Sequence, residues 1–239
     1  MRRLLLLPAF VLPVFFACTG PGDSGSSDTA GDNGGDNGGD NGGGGDCGTY
    51  ASDVGATLSY AYTAEYSQQN GVSGGYDVTF TSYDSATGAA VYNSVAETIT
   101  AQSTSTSTTT QNLECRADGV YAISTSTDYV VNAAGQEFTG STTTTFDPAP
   151  LLQPIDISVG TTWESTFAGT VTDSMAGSQQ FSYEQTAEVV SAESVTVPAG
   201  TYDTLKVTYT PSNGTASSTW LAVGVGTVLT DASELTSIQ

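Results

Sequence analysis

Histidine is absent from all 239 residues. That absence removes Ser-His-Asp and Cys-His catalysis, imidazole acid–base work and most zinc and iron sites. Basic side chains are nearly as scarce: four Lys and Arg stand against 25 Asp and Glu, for a net charge of −21 at pH 7. Two of the four, Arg2 and Arg3, open the chain, so Arg116 and Lys206 are the only cations beyond the leader. A field of that sign repels phosphate backbones and anionic lipid headgroups, which argues against nucleic-acid binding and electrostatic membrane docking. The plain reading of the charge is solubility outside the cell. No stretch after the leader carries a helical apolar stripe, and no glycine-rich loop is followed by the lysine and helix of a phosphate-binding motif. No cofactor or metal ligand set is expected.

The chain opens MRRLLLLPAFVLPVFFACTG. Two arginines precede an apolar run, Leu4–Phe16, that falls short of the roughly 20 helical residues needed to span a bilayer. Pro8 and Pro13 interrupt any helix there. Ala17 then precedes Cys18. This junction resembles the lipobox of bacterial lipoproteins, which implies a diacylglycerol on Cys18, cleavage before it, and a signal peptide over residues 1–17. Polar flanks of a twin-arginine signal are missing, so the general secretory route is favoured. The expected location is the bacterial cell envelope, lipid-anchored at the outer membrane, on its periplasmic face or at the cell surface.

Residues 18–46 read as lipid anchor and tether. From Thr19 to Asp46 there is no aromatic side chain, and the repeat GDNGGDNGGDNGG buries too little apolar area to offset its ordering entropy. Such a coil spans about 30 Å root-mean-square, and its aspartates repel one another and extend it. Asp32, Asn33 and Asp36 place oxygens close together, but their spacing matches neither an EF-hand loop nor a calcium-binding nonapeptide repeat. A flexible spacer is the better reading.

Residues 47–239 are long enough for one well-buried domain. If Cys18 carries lipid, Cys47 and Cys115 remain as an even pair in an oxidising compartment. Their disulfide would close a loop of about 68 residues, worth roughly 4 kcal/mol in the chain-entropy account. The alternative is two separate buried thiols.

Within this domain the apolar spacing is two. Leu58, Tyr60, Tyr62, Ala64 and Tyr66 alternate with smaller or polar neighbours, as do Val78 and Phe80, then Trp163, Ser165 and Phe167, then Leu205, Val207 and Tyr209. Asn70-Gly71, Thr87-Gly88, Asp118-Gly119 and Asn213-Gly214 read as hairpin turns. The hydroxyl run Ser103 to Thr110 continues long strands, and Pro148 to Pro154 reads as a crossover loop. The expected fold is all-β: a curved antiparallel sheet, half-barrel or open barrel. Val54-Gly55-Ala56-Thr57-Leu58 and Val159-Gly160-Thr161-Thr162-Trp163 suggest an internal duplication with halves of about 47–147 and 154–239. The same offset maps Gly119-Val120 onto Gly224-Val225.

VTVPAGTYDTLKVTYT (195–210), followed by TWLAVGVGTVLT (219–230), carries a more specific pattern. A strand ends in Val-Pro-Ala-Gly, an aromatic-led strand follows, then a Trp strand and a Gly-Val-Gly turn; Val159-Gly160 before Thr162-Trp163 supplies an upstream element. Over residues 154–235 this resembles uncharacterised periplasmic and lipoprotein domains related to the half-barrel folds of lipoprotein carriers. The resemblance implies a curved sheet whose concave face takes an apolar ligand or is filled by its own side chains. Its residues, Pro198, Gly200 and Trp220, are turn and packing signatures with no chemistry.

Three functions remain. The first is a non-enzymatic envelope or surface lipoprotein whose sheet presents a binding face to a protein or glycan. The second is a carrier or sensor of a lipid or other apolar ligand. The third is a carboxylate-pair hydrolase built on Asp147, Asp156, Glu164 and Asp173, since that chemistry needs only acids. Exposed acids are the default in so acidic a chain, and the first reading leads.

Overall fold

A computed structural model describes residues 54–239. The signal peptide, Cys18, the tether and Cys47 lie outside the described residues.

The described residues form thirteen strands and one short helix. In order they are β1 (Thr57–Tyr62), α1 (Ala64–Asn70), β2 (Val72–Asp84), β3 (Ala89–Thr100), β4 (Ser103–Arg116), β5 (Gly119–Ala133), β6 (Gln136–Phe146) and β7 (Leu151–Pro154). Then follow β8 (Thr162–Asp173), β9 (Gly177–Val197), β10 (Gly200–Pro211), β11 (Ser217–Ala222), β12 (Gly226–Thr230) and β13 (Ser233–Ile238). Alternation of Val, Thr, Tyr and Phe with small polar residues suits a pleated surface with one face buried.

The sheet is closed, which corrects the expectation of a half-barrel or open barrel. β4 pairs with β5 along its whole length, from Ser103↔Ala133 to Arg116↔Gly119, and β1 pairs with β13. Twelve antiparallel strands therefore run up and down in chain order, with β7 as an extra strand on β5. Closure leaves no unpaired edge among them, so no edge lysines are needed to guard one. The wall is uneven. β1, β11, β12 and β13 have only five or six residues each, whereas β2 to β6 have 11 to 15. One mouth is consequently cut obliquely, with the long strands standing above the short ones. At the opposite end the β9–β10 hairpin outruns its neighbours. Its Val-Pro-Ala-Gly turn buries Val197, and the Ala199 N–H donates to the Leu235 carbonyl at 3.2 Å.

Two local expectations are corrected. Ala64 and Tyr66 lie in α1, because Thr63 caps the helix by accepting from the Tyr66 N–H and Gly71 ends it at φ 64°. Asn70-Gly71 is thus a helix end, while Thr87-Gly88, Asp118-Gly119 and Asn213-Gly214 do sit at hairpin turns. The Pro148–Pro154 stretch is not all loop: Leu151–Pro154 is β7, laid on β5 through Val120↔Gln153.

The two segments read as a repeat make the same bonds. Gly55 N–H donates to Phe80 O while Phe80 N–H donates to Ala56 O; Gly160 N–H donates to Val189 O while Val189 N–H donates to Thr161 O. Each pattern opens a strand, β1 and β8.

Candidate functional site in the barrel

Strand register sorts the wall into faces. Tyr92↔Gln111↔Thr125 places the buried side chains inward, and every second residue follows them, with a change of parity at the bulges in β2 and β5. From β2 through Val189 of β9, the inner face is Ser, Thr, Tyr, Phe, Val, Leu, Trp, Gln, Cys, Ala and Gly, and its one charged side chain is Asp173, at the rim. Asp77, Glu97, Asp128, Glu164, Glu184 and Glu188 project outward. So do Arg116, over the Tyr121 ring, and Lys206, over the Trp220 ring. An acidic shell encloses a nearly uncharged interior.

The lower interior is packed by Leu58, Val78, Phe80, Trp163, Val189, Val207, Val228 and Leu235. Trp163 is 7% exposed, donates its Nε1–H to the Leu152 carbonyl at 3.2 Å, and meets the Tyr209 ring edge-on at 6.0 Å. Ser165, two residues on, donates its hydroxyl to the Leu151 carbonyl. Side chains rather than a backbone ladder thus tie β7 to β8.

Above this floor an aromatic ladder climbs the inner face of β6, β8 and β9. Phe167 and Tyr183 stack at 5.0 Å and 3°, and Phe146 sets its edge against Phe167 at 6.2 Å and Phe181 at 6.0 Å. Gly169 is the register partner of both Phe146 and Phe181, so those rings meet across it. All four rings are only half-buried, although burial raises the Tyr183 phenol above its ordinary pKa. On β1 and β2, Tyr60 and Tyr76 stack at 4.7 Å; Tyr60 donates to Thr227 O at 2.7 Å and Tyr76 bonds Ser233 Oγ at 2.8 Å. At the oblique mouth Tyr62 bonds Thr98 Oγ1 at 2.8 Å.

Burial drives the Tyr60 and Tyr76 phenols upward, Tyr76 from 10.0 to about 12. An acid whose folded pKa is raised stabilises the fold fully below its unfolded pKa and loses that contribution as pH climbs towards the folded value. Stability should therefore fall between about pH 10 and 12, by ~2 kcal/mol for Tyr76. Urea midpoints taken at pH 9 and 11.5 should show the fall, and Tyr76→Phe should shrink it. An equal fall in that variant would mean the phenol is not responsible.

The four acids weighed for hydrolysis are dispersed. Asp147 precedes a cis Pro148 and donates its N–H to Ala168 O, Asp156 is exposed beyond β7, and Glu164 points outward from β8. Asp173 faces inward but its oxygens are already engaged by Met175 N–H and Ala176 N–H at 2.8 Å, Thr142 at 3.0 Å and Tyr129 at 3.3 Å. Those bonds, the Ala176 N–H foremost, hold its carboxyl below the ordinary range. Its role is to fasten the β8–β9 turn. Among the described residues no three His, Cys, Asp or Glu gather into a metal site, and no helix is long and apolar enough to cross a membrane. Cys115 is half-buried on β4 opposite Val120, against the core. Outside the barrel, Val95, Thr106, Thr108, Asp128, Val130 and Thr139 line an open hollow of about 390 Å³ across β3 to β6.

A closed up-and-down barrel with a neutral, partly aromatic interior is the class that fold and site define. Residues 55–235 match the family model described as DUF3108-like, and the chain belongs to that family. The match takes in both sets of strands, well beyond the 154–235 segment that carried the sequence resemblance. No curated protein and no solved structure matches the chain. Membership brings no activity with it.

Proposed function

We propose that this protein is a non-enzymatic, membrane-anchored lipoprotein of the bacterial envelope whose binding face is the inner wall of its barrel, and that the ligand is apolar and uncharged. The observation that carries this is the half-buried ladder Phe146, Phe167, Phe181 and Tyr183 on a wall whose one charge sits at the rim. Barrel width supports it. Eight strands enclose just enough room for side chains or one small ligand, and width grows with strand number. Twelve strands enclose a wider interior than eight. Outward acids at mid-wall, such as Asp128, Glu164 and Glu184, suit water and not the apolar band of a barrel embedded in lipid. Titrating the mature protein with N-phenyl-1-naphthylamine should give saturable, blue-shifted fluorescence, weakened about tenfold by Tyr183→Ser. No saturable signal from the wild type would refute the reading.

Anchoring rests on Cys18 and the tether behind it. Cys18→Ser should move the protein from the membrane to the soluble fraction, and a variant that still takes up labelled fatty acid would sink the anchor assignment. The Cys47–Cys115 disulfide would join the tether to β4, close to the β4–β5 turn.

A further inference from the structure

Gln153 is polar, 1% exposed, and sits in the core with neither its amide oxygen nor its amide nitrogen hydrogen-bonded within the protein. Its register partner Val120 is an inward core residue, so the amide points into the barrel. Two side chains that meet β7 do have partners on it: Trp163 Nε1–H reaches Leu152 O and Ser165 reaches Leu151 O. An amide buried without partners is costly, and native proteins rarely leave both ends unmet. Trp163 marks its level on β8. Phe167 lies four residues further up the same face, about 13 Å at the usual rise of a strand.

We propose that Gln153 is the polar floor of the ligand site and selects apolar molecules ending in a neutral group that both donates and accepts, such as a primary amide. This rests on the reading that the inner wall holds an apolar ligand. The amide would pair with such a head group by one bond given and one received, while the tail lies along the ladder. Charged head groups are selected against, because both described cations, Arg116 and Lys206, are on the outer face and a carboxylate taken into this interior would have no counter-ion.

Displacement of N-phenyl-1-naphthylamine from the mature protein tests this with two competitors, decanamide and decanoate. The wild type should bind decanamide about tenfold more tightly than decanoate. Gln153→Met, of similar length, should weaken decanamide about tenfold, to the level of decanoate. Equal affinity for the two competitors in the wild type overturns the proposal without recourse to any variant. So does undiminished decanamide binding by a folded Gln153→Met, and in both cases binding of the fluorophore keeps the broader reading intact. Failure of the wild type to bind the fluorophore removes both.

Discussion

Gly169→Val should lower stability by about 3 kcal/mol, and Gly169→Ala should cost most of that. A Cβ at residue 169 would fall on the carbonyl oxygen of Thr145, with the Thr145 carbonyl carbon 3.0 Å away and Phe146 Cα 3.1 Å away. All three are backbone atoms of β6, so no side chain can turn aside. The β6–β8 ladder from Thr142↔Asp173 to Phe146↔Gly169 would have to part at its lower end. The Phe146–Phe181 contact across residue 169 would open with it. For a domain of this size the valine should depress Tm by roughly 6–12 °C. Calorimetry of the three proteins decides the matter; an alanine variant within about 0.5 kcal/mol of wild type would show that the wall yields more easily than this geometry allows.

Trp163→Ala should be still more damaging, by about 3–5 kcal/mol. The change removes a buried indole, its edge contact with Tyr209, and the bond that ties β8 to the Leu152 carbonyl. Trp163→Phe should cost only about 1–3 kcal/mol, mostly for the carbonyl left without its donor. The other tryptophan is the control. Trp220 is half-buried on the outer side between Lys206 and Glu193, so Trp220→Ala should cost about 1 kcal/mol or less. Urea unfolding followed by far-ultraviolet dichroism, which needs neither tryptophan, gives the ranking. Equal losses at positions 163 and 220 would contradict it.

The strand of Trp163, Ser165 and Phe167 was legible because its signal is contiguous. Three inward residues two apart suffice to show a pleat, and the structure sets them on one face of β8, Trp163 and Ser165 buried and Phe167 half-buried. Leu205, Val207 and Tyr209 on β10 were legible for the same reason. Ala64 and Tyr66 continued the same alternation and misled. There the signal was weak, and Thr63 and Gly71, good caps at the right spacing, decided for a helix. Gln153 was hidden inside a proline-rich stretch that reads as loop, since only pairing with β5 shows that its side chain enters the core. Half of the ladder was within reach, because Phe181 and Tyr183 are two apart on one strand. Their junction with Phe146 needs register across β6, β8 and β9, which no local pattern carries.

From the chain alone came the charge, the lack of histidine and cations, the period-two alternation, and the expectation of a lipid-anchored, tethered, antiparallel all-β domain. Each follows from composition or from neighbours a few residues apart. Closure of the barrel, the separation of acids outside from aromatics inside, and the burial of Gln153 were decided by tertiary structure. They depend on which distant strands meet and in what register: Thr57 finds Gln239, and Ser103 finds Ala133. In a sheet a shift of one residue sends every side chain to the opposite face, so the inner wall exists only once those long-range pairings are made.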